Sequence, residues 1–165
     1  EHVVKVRETT LAETHPSRLA SQYALALTYD ANGQTEEAVA LLEHVVKVRE
    51  TTLAETHPSR LASQYALALT YDANGQTEEA VALLEHVVKV RETTLAETHP
   101  SRLASQYALA LTYDANGQTE EAVALLEHVV TVESRALEED DPSRLISIEA
   151  LEYMYSQLVE EKDLL

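Results

Sequence analysis

A chain of 165 residues that is 45% hydrophobic, yet has no Phe, Trp or Cys and only three glycines and four prolines, is composed for helix. That composition excludes a disulfide scaffold, argues against disorder or an all-β fold, and leaves Leu, Val, Ala and Tyr to build the core. A formal charge of −17 with dispersed basic residues repels phosphate, which sets aside nucleic acid and anionic membranes as partners. Apolar runs such as Ala38–Leu42 fall far short of the roughly 20 residues needed to span a bilayer. With no signal peptide and no cysteine, the expected location is the cytoplasm.

Taken in chain order, residues 1–130 repeat with a period of 42 and no mismatch: the block His15-Pro16-Ser17-Arg18-Leu19 returns at His57 and His99. Such a period marks units that bury their apolar faces only by stacking on neighbours. Residues 1–14 copy the latter part of one unit, and with Glu1 in place of Met the sequence reads as a fragment of something longer. Full units follow at 15–56, 57–98 and 99–140. Within the first, Pro16 suits a first helical turn, and Leu19, Tyr23, Ala26 and Tyr29 recur at helical spacing, predicting a helix A over 16–31. Asn32-Gly33 stops it, because glycine accepts the left-handed backbone that closes a helix. Thr35 is expected to supply the N-cap of a helix B, with Glu36 and Glu37 against its positive dipole end. Ala38, Leu41, Leu42, Val45, Val48 and Leu53 line one face of helix B to about residue 54. So short a connection folds the pair back as an antiparallel hairpin.

The last segment, 141–165, keeps the frame in Asp141-Pro142-Ser143-Arg144-Leu145, with Asp141 at the N-cap. Val159 replaces the turn glycine, so one longer helix from Pro142 to about Lys162 is expected, with a polar outer face that caps the stack. At the other end Val3, Val4 and Leu11 arrive without a helix A, and self-association through this uncapped amino-terminal end is expected.

Leu25, Ala26, Tyr29, Gly33, Ala38, Leu42 and Val45 fall at the offsets of the tetratricopeptide repeat signature, and the sequence resembles that family. Its period exceeds the common value of about 34, and the His-Pro start with the long Arg49-Glu50-Thr51-Thr52-Leu53 exit is similar to the 42-residue subclass of kinesin light chains. Similar arrays form the sensor regions of NLR-like signalling ATPases. The resemblance implies an all-α, right-handed α-solenoid of antiparallel helix hairpins that recognises a protein or peptide, as part of a larger protein. The residues also explain themselves sterically: Ala26 and Ala38 are small where helices A and B cross, and Tyr29 and Leu42 fill the space around them.

The resemblance further implies that helix A lines a concave groove. The groove residues would be Tyr23, Leu27 and Asp30, Tyr65, Leu69 and Asp72, and Tyr107, Leu111 and Asp114. Tyrosine is a frequent hot-spot residue, yet the same rings could simply pack between neighbouring A helices. Kinesin light chains carry two adjacent asparagines at the positions of Tyr23 and Ala24 that hold a cargo backbone; both are absent here, so cargo specificity does not carry over. Arg18, Arg60, Arg102 and Arg144 offer positive charge to an acidic partner or pair with Glu and Asp of adjacent repeats, and the overall acidity favours pairing. The seven histidines recur with the repeat and form no close metal-ligand pair, and no phosphate loop or cysteine nucleophile is present. No metal, no cofactor and no catalysis is expected. The alternative to groove recognition is a self-assembly module acting through the repeat faces.

Overall fold

The computed structural model describes residues 1–163, with side chains through Val159; residues 164 and 165 of the terminal segment lie outside the described residues. Among the described residues there are eight α-helices and no strand: α1 His2–Thr10, α2 Pro16–Ala31, α3 Thr35–Thr52, α4 Pro58–Ala73, α5 Thr77–Thr94, α6 Pro100–Ala115, α7 Thr119–Ala136 and α8 Pro142–Asp163. They fall into two compact units, Glu1–Leu83 and Leu84–Leu165.

In the first unit the helix boundaries follow from local chemistry. Nδ1 of His15 accepts a hydrogen bond from the Ser17 N–H at 3.1 Å, capping α2, and Pro16 occupies the position that needs no donor. At the far end Gly33 takes φ +75°. The Gly33 N–H then reaches the Asp30 carbonyl at 2.9 Å and the Gln34 N–H reaches that of Tyr29 at 2.9 Å, closing the last turn. Gln34 at once becomes the N-cap of α3. This corrects the expectation for Thr35, which is the first helical residue; the Gln34 side chain makes no cap bond and instead meets Glu37 at 3.4 Å. α3 ends two residues before the expected boundary, because Leu53 turns extended while the Thr52 hydroxyl donates to the Val48 carbonyl at 2.8 Å.

Ala26, Ala38 and Leu42 are fully buried, as their crossing position requires. Leu42 packs with Ala26, Val46, Ala66 and Leu67, so α2, α3 and α4 share one apolar seam; Leu19 packs separately on Val45 and Val48. Each of these buried Leu and Val side chains contributes about 1.5–3 kcal/mol by leaving water. In the second unit Leu103, Ala110, Ala122, Leu126, Val129 and Met154 form the corresponding core, with α8 packed on α7 through Met154 and Leu151.

α8 runs as one helix past the position of the lost turn glycine, as expected. Its outer face is not polar, however. Leu145, Ile146, Tyr153, Tyr155 and Val159 are all exposed; Leu145 stands at the position of Leu19, which packs on Val45 and Val48, and Tyr153 at that of the exposed Leu27.

Candidate functional site

The nine residues of the expected groove lie on α2, α4 and α6, at steps of four and three that keep each trio on one helix face. Leu27, Leu69 and Leu111 are about 40% exposed, with the first at 39% and the others at 40%. Asp30, Asp72 and Asp114 are half-buried, as are Tyr23, Tyr65 and Tyr107. The Tyr23 ring packs against Leu19, Val45 and Val48 and lies under the Arg49 guanidinium, 5.4 Å from its centroid. Tyr107 packs on the second core; burial, then the charges of Glu133 and Glu149, push its phenol above the ordinary range. Tyr23 and Tyr107 therefore pack, and all three tyrosines are half-buried on the same helices as the exposed leucines.

The arginine row does pair, but with main-chain carbonyls and not with carboxylates. Arg18 Nη1 donates to the Glu8 and Leu11 carbonyls at 3.1 and 3.2 Å, and Arg60 and Arg102 repeat this on Glu50 and Leu53 and on Glu92 and Leu95. Each thus supplies positive charge to the carbonyl end of the preceding helix, where the dipole welcomes it. That use leaves the row poorly placed to meet an acidic partner.

Three further contacts were missed by reading the sequence. Arg49, almost fully buried, donates to the Ser59 carbonyl at 2.7 Å, and Gln64 donates to Glu50 at 2.9 Å. Tyr71 and Tyr113 donate to Glu43 and Glu85, each at 2.7 Å and each 28 residues back; burial, then the carboxylate, push both phenols up to about 12. Tyr155 makes the same bond to Glu127. The constant spacing was a legible signal, since tyrosine survives at 155 where most neighbours have diverged. Among the histidines, His44 and His128 stand 3.7 Å from Glu13 and Glu97. Among the described residues no group of three or more His, Asp or Glu is placed to hold a metal, and no helix is long and apolar enough to cross a membrane.

The tetratricopeptide repeat model matches residues 17–93 and again 60–134. The chain belongs to the tetratricopeptide repeat family. A kinesin light chain-like protein of Podosopora anserina with nearly identical TPR-like repeats is 52% identical, over 98% of this chain and 77% of that one, with a TM-score of 0.87. BtubC of P. vanneervenii shares the fold at 17% identity, over 84% of this chain and 56% of that one, TM-score 0.76. The Yersinia enterocolitica type III secretion translocator chaperone SycD does so at 15% identity, over 84% and 91%, TM-score 0.62. No curated protein matches the chain. Tetratricopeptide repeats are in general scaffolds for protein–protein interaction.

Proposed function

We propose that this chain is a non-enzymatic recognition module that binds a protein or peptide along the A-helix face, as the sensor part of a larger protein. The observation that carries this reading is the return of an exposed leucine, Leu27, Leu69 and Leu111, each flanked one turn either way by a half-buried tyrosine and aspartate. An accessible leucine beside an aromatic supplies apolar area, and the aspartate supplies an acceptor that fixes direction. Kinesin light chain-like relatives and a chaperone of the same fold support the class of function, and the missing asparagine pair argues for a different ligand.

Panning a peptide display library against the wild-type chain and a Tyr65→Ala/Leu69→Asp variant tests this. Peptides that bind wild type and lose affinity by about tenfold or more in the variant are expected, as for a hot-spot pair. Peptides that bind both equally would place recognition elsewhere.

A further inference from the structure

We infer that the partner recognised along the A-helix face is a basic protein segment, one that sets a lysine or arginine beside an apolar side chain on the leucine and aspartate of a repeat. The inference rests on the recognition reading above and names the chemistry of its ligand. The surface recurs on single helices: Leu69 and Asp72 stand one turn apart near the end of α4, as Leu27 and Asp30 do in α2 and Leu111 and Asp114 in α6. α4 has complete helices before and after it in the chain, yet Leu69 is as exposed as Leu27 and Leu111. The exposed leucine is therefore a property of the repeat.

Charge decides what lies against it. α2, α4 and α6 each carry one arginine near the start, one aspartate near the end and no lysine. The arginine is already engaged: Arg60 Nη1 holds the Glu50 and Leu53 carbonyls, about 18 Å along the helix from Asp72. Asp72 itself has no hydrogen-bond or ion-pair partner among the described residues. A helix C-terminus is the negative end of the dipole, and the last turns of α2, α4 and α6 hold no basic residue. The N–H groups of Asn74, Gly75 and Gln76 occupy the final carbonyls, but they bring no charge. Residues 72–79 add two more carboxylates and no base. Glu78 and Glu79 face the positive end of α5, which offsets them, whereas Asp72 faces a negative end. A ligand cation beside Asp72 meets the carboxylate and the helix end together while its apolar neighbour covers Leu69. A neutral or acidic segment gains from the leucine alone.

Fluorescence anisotropy of the full chain with short labelled peptides, in which leucine alternates with lysine, with serine or with glutamate, tests this. An acidic chain attracts any basic peptide, so two variants that lose the same charge are compared: Asp30→Asn/Asp72→Asn/Asp114→Asn and Glu36→Gln/Glu78→Gln/Glu120→Gln, with helicity checked by circular dichroism. The lysine peptide is expected to bind wild type about tenfold or more tighter than the serine peptide, and to lose about fivefold or more in the aspartate variant. The glutamate variant should change it much less. Leu27→Ser/Leu69→Ser/Leu111→Ser, on exposed positions, should weaken binding as well. Equal losses in the two carboxylate variants, a lysine peptide that does not bind, or a serine or glutamate peptide bound as tightly through the leucines overturns the basic partner alone. Binding that the leucine variant leaves unchanged for every peptide overturns recognition along this face, and the inference with it.

Discussion

The junction between α3 and α4 and the junction between α7 and α8 share a frame and differ in chemistry. In the first, buried Arg49 ties the end of α3 to the Ser59 carbonyl, Arg60 returns to the Glu50 and Leu53 carbonyls, and Gln64 holds Glu50. In the second, Glu133 stands where Arg49 would, Ile148 where Gln64 would, and Arg144 keeps a single bond of 3.4 Å to the Leu137 carbonyl. Glu133 is buried, one of its oxygens has no partner, and burial raises its pKa, which the Ser147 hydrogen bond partly offsets and Asp141 reinforces. A negative charge near the carbonyl end of a helix is the unfavourable sign. The comparison teaches that the apolar seam stacks the helices in both places, whereas the strength of each junction is set by which charge is buried at it.

The largest effect should come from moving the terminal chemistry inward. Arg49→Glu buries an uncompensated carboxylate where a guanidinium held a carbonyl, and should cost about 3–5 kcal/mol in urea unfolding; a cost under about 1 kcal/mol would mean the junction charge is incidental. The reverse exchange, Glu133→Arg, restores the donor to the Ser143 carbonyl and should stabilise the chain by about 1 kcal/mol. The same site sets a pH dependence. Because the folded-state pKa of Glu133 lies above its ordinary value of 4.5, its neutral form favours the folded junction. The stability it contributes at acid pH is lost as pH rises from 4.5 through the raised value. The difference in stability between wild type and Glu133→Gln should therefore widen on going from acid to neutral pH, and a difference flat with pH would count against a buried charge.

Smaller effects sharpen the same contrast. The α4 cap is the His57 imidazole at 3.1 Å from the Ser59 N–H, whereas α8 uses Asp141 at 2.9 Å from the Ser143 N–H. His57→Asp adds negative charge at the positive end of α4 and should raise stability by about 0.5–1 kcal/mol, read as a shift in urea midpoint. Gln64→Ile, the residue α8 uses, should change stability by only about 0.5 kcal/mol or less, since exposed Glu50 finds water and the partnerless Gln64 oxygen is removed.

The frame of this fold was legible because punctuation and packing coincide in the sequence. Pro16 and Asn32-Gly33 bracket α2 at the observed residues, and the small Ala26 and Ala38 mark the crossing. What escaped reading involves groups whose partners lie on the main chain of another helix. Arg18 and Arg49 bond carbonyls, which have no signature in residue type; for Arg18 this led to the expectation of pairing with Glu and Asp, and Arg49 raised none. Thr35 looked like a cap, but the closing bonds of α2 carry the chain one residue short of it and leave Gln34 in that role. The apolar outer face of α8 was hidden by its lost period: Glu149 and Glu152 interrupt the pattern while Leu145, Ile146 and Tyr153 keep it. Of the candidate groove, the leucines could be read as accessible, while the packing of Tyr23 beneath Arg49 needed three-dimensional placement.

The central claim is that the buried charge sets the strength of each junction. Amide hydrogen exchange at neutral pH, comparing α4 with α8 in wild type and in Glu133→Arg, tests it most directly. Faster exchange in α8 than in α4, slowed in α8 alone by the substitution, is the predicted result. Equal protection of the two helices, or a substitution that leaves α8 unchanged, would contradict it.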